Sequence, residues 1–206
     1  MNVKLLLVIA FTVLLTACTG PSGETADESA EEEKSAFELP DEQEAFWQNI
    51  RRHCGNAYDG RLADATPHYQ GFSAERITIH FRNCPDTLTH ISLHLDDNHS
   101  RNLLLTHQRG ALRLKHDHRN QDGTEEVITQ YGGDAPKPGL ETRQIFQADN
   151  HTGHILPERA DNFWFLDLMD ENTLAYGVHW PKHGHSIRFE FDLSAPVEPP
   201  PAPWGY

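Results

Sequence analysis

Beyond residue 56 the apolar positions of the chain recur with a period of two. In residues 76–84, Ile77, Ile79 and Phe81 alternate with Thr78, His80 and Arg82, and in residues 89–96, Ile91, Leu93 and Leu95 alternate with His90, Ser92 and His94. Such alternation marks strands with one buried face and assigns His90 and His94 to the solvent side. Residues 101–119 read as two strands joined at Arg109-Gly110, and Asp122-Gly123 opens a further hairpin arm running to Gly133, since Asp-Gly is a favoured hairpin turn. Residues 57–64, 142–149, 162–169, 173–180 and 185–194 continue the series, with Asp170-Glu171-Asn172 as a turn.

A helical period appears only ahead of the strands. In residues 39–55, Phe46, Trp47, Ile50 and Cys54 fall on one helical face, Asp41 is placed to cap with Glu44 three residues on, and Gly55 is placed to terminate. About ten short strands and one N-terminal helix make the chain mostly β, either an antiparallel up-and-down barrel or a sandwich. The pattern bounds a single domain at residues 37–194. Residues 195–206 are Pro-rich, a composition expected to stay out of the sheet as extended polyproline II.

The first eighteen residues have a different character. Lys4 is followed by an apolar run from Leu5 to Leu15, too short to span a bilayer, and small residues follow it, the pattern of a signal peptide over residues 1–17. Leu15-Thr16-Ala17-Cys18 resembles the lipobox of bacterial lipoproteins. The resemblance implies cleavage before Cys18, lipidation of Cys18 and a stable membrane anchor. Thr19 stands where an inner-membrane retention Asp would sit, which points to the outer membrane, on its periplasmic face. The other reading is an ordinary secretory signal with an incidental cysteine. Residues 19–36 carry six acids and one lysine without apolar periodicity, so residues 18–36 read as a lipidated, disordered acidic tether.

Charge then removes one class of partner. The formal net charge is −14, and −15 once Lys4 is cleaved away, which excludes nucleic acid. With Cys18 lipidated, Cys54 and Cys84 remain, and an even pair in an exported chain is most simply a disulfide rather than a Cys/His metal site.

The chain contains 14 histidines. His116 and His118 continue the apolar face of Leu112 and Leu114, and His183 and His185 begin the apolar face of Ile187, Phe189 and Phe191. On strands of opposite direction the two pairs meet one rim, where they form either a Zn²⁺ or Cu²⁺ site or an ordinary half-buried polar edge. His151 and His154 fall in a loop. Phe146, Phe163 and Phe165 are placed inside with Phe189 and Phe191, with Trp164 and Trp180 on the alternate face; that interior is either a packed core or a lumen for a small apolar ligand.

A helix ahead of a ten-strand meander resembles the calycin plan of lipocalins and fatty-acid-binding proteins, without the lipocalin Gly-x-Trp. Residues 112–123, Tyr131-Gly132-Gly133 and the Pro-Trp-Gly of the tail also resemble marks of an uncharacterised family of bacterial lipoproteins, a likeness that implies a fold and a location and carries no activity. The sequence lacks a Gly-x-Ser-x-Gly elbow, a His-Glu-x-x-His and a P-loop. The leading expectation is a membrane-anchored periplasmic lipoprotein binding a small apolar ligand or a metal ion. The alternative is an interaction lipoprotein docking to an envelope partner, with Trp204 in its tail.

Overall fold

The computed structural model describes residues 38–67, 72 and 74–206, so the signal segment, Cys18 and the acidic tether lie outside the described residues. Helix α1 spans Asp41–Arg51 and buries Phe46, Trp47 and Ile50. Its N-terminus differs from expectation. Pro40 precedes the first turn and no side chain caps it, while Glu44 accepts from Gln48 Nε2 at 2.8 Å instead of reaching back. Asp41, Glu42 and Glu44 in that turn favour the positive end of the helix dipole. Gly55, at φ +85°, ends the turn that follows. Cys54 does not pack inward; it is exposed and forms the expected disulfide with Cys84. That bond fastens the end of α1 to the strand that finishes at Asn83.

Ten antiparallel strands follow: β1 (Ala57–Ala65), β2 (Ile77–Asn83), β3 (Leu88–Leu95), β4 (Asn98–Gln108), β5 (Ala111–His118), β6 (Tyr131–Asp134), β7 (Arg143–Gln147), β8 (Phe163–Asp170), β9 (Thr173–Trp180) and β10 (His185–Val197). They form one sheet in the order β6-β5-β4-β3-β2-β1-β10-β9-β8-β7, a nearly closed barrel rather than a sandwich. The ends of that order meet at a seam: Asp149 N–H donates to the Gly132 carbonyl at 2.9 Å. A Cβ on Gly133 would lie 1.7 Å from the Gln147 carbonyl oxygen, so only glycine lets β6 approach the end of β7.

Arg109 and Gly110 turn at φ 49° and 70°, the paired left-handed geometry of a two-residue hairpin. The Asp122-Gly123 turn also forms, but residues 124–130 are not a strand. Only scattered backbone bonds join them to β5, from Glu126 N–H to the His118 carbonyl and from Gln130 N–H to the His116 carbonyl, while Thr129 Oγ1 and Gln130 Nε2 donate to the Asp117 carboxylate at 3.2 and 2.9 Å. On β8 the faces are the reverse of those read from sequence. Trp164 and Leu166 point inward and Phe163 and Phe165 outward, because Trp164 pairs with the buried Phe146 across β7 and β8. Trp180 is buried as well.

Because neighbouring strands are antiparallel, α1 packs at one end of the barrel only. Gln43 Nε2 donates to the Lys137 carbonyl and Gln43 Oε1 accepts from Leu112 N–H. Arg51 donates to the carbonyls of Cys84 and Pro85. These partners sit where β2 ends, β5 begins and β6 has ended. Among the described residues no helix is long and apolar enough to cross a membrane.

The Pro-rich tail is part of the fold. Pro196 and Val197 continue β10 opposite Tyr58 and Ala57, beyond a large bulge where a proline can be accommodated. The remaining residues return to the outer face of β3–β5. Trp204 N–H donates to the His99 carbonyl at 3.1 Å, and the Tyr206 ring lies 4.4 Å from that of His90. His90 and His94 are therefore buried, 2 % and 3 % exposed, where strand alternation placed them in solvent. Tyr206 Oη donates to Asp117, whose side chain is fully buried and also paired with Arg119.

Tyr206→Phe removes one of the donors to a buried carboxylate, a loss of about 1–3 kcal/mol. A melting temperature lower by roughly 3–8 °C in a thermal scan is the expected result.

Candidate functional site

At the end of the barrel opposite α1 the interior is not filled. A cavity of about 300 Å³ lies there, walled by Leu93, Leu103, Trp164, Tyr176 and Phe189, with Phe72, Ile128 and Leu156 among its other apolar residues. Its polar lining comes from Arg101, His116, His118, Glu126, Tyr131, Arg159 and Asn162. Strand alternation delivers the wall: Arg101, Leu103 and Leu105 on β4, and Leu114, His116 and His118 on β5, where Arg101 pairs with His118 and Leu103 with His116.

The remaining lining comes from the segment between β7 and β8. Helix α2, Asn150–Ile155, is capped by Asp149, which accepts from Thr152 N–H at 2.9 Å. Thr152 Oγ1 donates to the Gly132 carbonyl at 2.7 Å, pinning α2 to the seam. A 3₁₀ turn at Pro157–Arg159 then carries Leu156, Arg159 and Asn162 to the cavity. His151 and His154, read from sequence as loop residues, lie in α2 and are not among the residues lining the cavity.

Two histidine–tyrosine pairs organise the wall. His116 Nδ1 lies 3.1 Å from the Tyr131 carbonyl, which only accepts, so Nδ1 carries the proton. His116 Nε2 then accepts from Tyr176 Oη at 2.6 Å. His118 Nδ1 faces Glu126 at 3.7 Å, and its Nε2 accepts from Tyr131 Oη at 2.9 Å. The His116 and Tyr131 rings stack at 4.6 Å. Burial holds the His116 ring neutral, its pKa lowered to about 3, with the neighbouring His118 acting in the same direction. Burial and then Arg101 lower His118 to about 4. Burial raises Tyr131 to about 12 and Tyr176 well above its ordinary value. These four rings are thus uncharged at neutral pH, and the hydrogen bonds among them run in one defined direction.

Of the four rim histidines, only His116 and His118 reach this cavity. His183 stands exposed in a 3₁₀ turn at Pro181–His183, stacked 5.9 Å from His185. Both pairs do lie at one end of the barrel, but β5 and β10 are five strands apart in either direction around ten. The two pairs therefore face each other across the full width of the barrel. His116 has both nitrogens engaged. Among the described residues no group of three or more His, Cys, Asp or Glu is placed to hold a metal.

Arg101, Glu126, Arg159, Asn162 and Tyr176 are polar lining residues that reading the sequence did not single out, and Tyr131 entered that reading only within Tyr131-Gly132-Gly133. Arg101 had a usable signal, since it alternates with Leu103 and Leu105; the run Leu103-Leu104-Leu105 obscures it. Asn162 sits at the end of an irregular segment, where no periodicity marks a facing.

The neutral histidines make stability depend on pH in a defined direction. His116 and His118 protonate near 6.5 in the unfolded chain and only near 3 and 4 in the fold. Their contribution is complete above pH 6.5 and is lost as pH falls toward 4 and then 3. Urea unfolding at pH 7.5 and 4.5 is expected to show a loss of roughly 2–3 kcal/mol per ring, and His118→Gln is expected to flatten the slope. No protein-family model, curated protein or solved structure matches the chain.

Proposed function

We propose that the protein is a lipid-anchored envelope lipoprotein whose barrel binds a small, largely apolar ligand in the cavity at its open end. The cavity carries this reading. It lies inside the barrel, and indole, phenol and aliphatic side chains form most of its wall. Small-molecule sites share that character, a concave apolar space of about 300–1,000 Å³ with a few placed polar groups. The neutral His–Tyr pairs suit the same use, because they satisfy buried polar atoms without adding charge to the wall. With His116 committed to Tyr131 and Tyr176, the aromatic wall rather than the imidazoles is the binding element.

The tail favours the cavity over surface docking as the binding device. Trp204 and Tyr206 are engaged by His99, His90 and Asp117 of the same barrel. Anchorage rests on the signal segment and on the resemblance of Leu15-Thr16-Ala17-Cys18 to a lipobox. Residues 19–36, read from the sequence as an acidic tether, lie outside the described residues.

Two measurements test the two parts of this reading. Cys18→Ser is expected to move the protein from the membrane fraction to the soluble periplasmic fraction; retention in the membrane would refute lipid anchoring. The unlipidated chain, residues 19–206, exported so that the Cys54–Cys84 bond forms, is expected to bind the neutral dye N-phenyl-1-naphthylamine saturably. Leu103→Trp, which fills the cavity, is expected to weaken that binding at least tenfold while the far-ultraviolet spectrum keeps its shape. Equal binding by both proteins would refute the cavity as the site.

A further inference from the structure

Two guanidinium groups line the cavity of an otherwise strongly acidic protein. Neither Arg101 nor Arg159 belongs to an ion pair among the described residues. Arg101 faces inward from β4, half-buried against the Phe72 ring at 5.7 Å. Arg159 is half-buried against the Trp180 ring at 5.6 Å. Among the described residues of the lining the only carboxylate, Glu126, faces His118. With the histidines neutral, the lining carries a net charge of +1 inside a chain of −14.

A second observation is independent of charge. Asn162 lines the same cavity, is 1 % exposed, and has no hydrogen-bond partner at either Nδ2 or Oδ1. Its backbone is fixed, with the carbonyl accepting from Ala148 N–H at 2.9 Å and the N–H donating to the Arg159 carbonyl at 3.1 Å. A buried amide left unpaired costs about 1–3 kcal/mol, so such groups persist where something else satisfies them. Arg101 Nη1 gives one N–H to Ser100 Oγ at 3.5 Å, and one Asn donor beside two guanidiniums without a carboxylate partner among the described residues is a set that suits an oxyanion.

We infer that the ligand is an acidic amphiphile, its anionic head accepted by Arg101, Arg159 and Asn162 Nδ2 and its apolar part held between Trp164 and Leu103. Asn162 Oδ1 then accepts from a hydroxyl or N–H beside the anion. At about 300 Å³ the space suits one or two rings or a short acyl chain. This inference rests on the cavity being a ligand site, and the test separates the two.

The probes are N-phenyl-1-naphthylamine and 8-anilinonaphthalene-1-sulfonate, the same skeleton without and with an anionic group, titrated into the unlipidated chain 19–206. The sulfonate is expected to bind at least tenfold tighter, and raising NaCl from 0.05 to 0.5 M is expected to weaken it alone. Arg159→Gln, a change at a half-exposed position, and Asn162→Leu are each expected to weaken the sulfonate about fivefold to tenfold and the neutral dye less than twofold. Binding of the neutral dye with no gain from the sulfonate, or equal losses of both dyes in the variants, would overturn the acidic-head inference and leave the apolar cavity standing. Binding of neither dye would overturn both.

Discussion

The fold depends on closing a ten-stranded antiparallel sheet. An open sheet of this length would leave β6 and β7 as edges with unpaired backbone groups. Closure is achieved with few bonds. Gly133 allows the backbone of β6 to come against the end of β7, Gly132 gives it room against the Leu114 carbonyl of β5, and Thr152 on α2 binds Gly132 through both its carbonyl and its N–H. Since β6 has only four residues, the seam is short, and the segments on either side of it must leave the sheet. One of them, residues 124–130, becomes the loop that brings Glu126 and Ile128 to the cavity. The other becomes α2 and the turn that presents Arg159 and Asn162. The glycines that close the barrel thereby also position much of its open end.

The two ends of the barrel are then chemically different. Phe46, Trp47 and Ile50 of α1 fill one end, and a disulfide holds the helix there, closing a loop of 30 residues. In the chain-entropy picture that bond contributes about 3 kcal/mol. The other end receives no comparable plug. Its lining mixes aliphatic, aromatic and cationic side chains, and the rings of His116 and Tyr176 and of Tyr131 and Trp164 are tilted by 36° and 38° to one another. A filled end and an unfilled end on one scaffold allow stability and binding to be carried by different residues.

Much of the scaffold was legible because one-sided strands are read directly from alternation. The left-handed turn at Arg109-Gly110, the Cys54–Cys84 pairing and the inward facing of His116 and His118 all follow from local rules. The misreadings share a cause in long-range covering. His90 and His94 alternate as exposed residues should, yet the Tyr206 ring of the returning tail lies against His90, and His94 lies against His99, which stacks on Trp204 of that tail. Phe163-Trp164-Phe165 offers three consecutive aromatics, so the face of β8 is decided by its partner Phe146 and not by its own pattern. The rim histidines failed as a cluster for a topological reason: the strand order that separates β5 from β10 by half the barrel is invisible in either strand.

The outer face and the cavity are linked through β5. On its inner side stand His116 and His118; on its outer side Asp117, fully buried, gathers Arg119, Thr129, Gln130 and Tyr206. A buried carboxylate is tolerated only while enough donors surround it. Two of those donors, Thr129 and Gln130, belong to the loop that also supplies Glu126 and Ile128 to the cavity lining, and a third is the chain's final residue. Thr129 Oγ1 also accepts from His118 N–H at 2.8 Å, tying this loop to the strand whose side chains form the wall. The Pro-rich tail, which alternation and composition left outside the domain, therefore completes the solvation of the charge that holds the mouth loop in place. The cavity's geometry is in this sense set from outside the barrel as well as from within it.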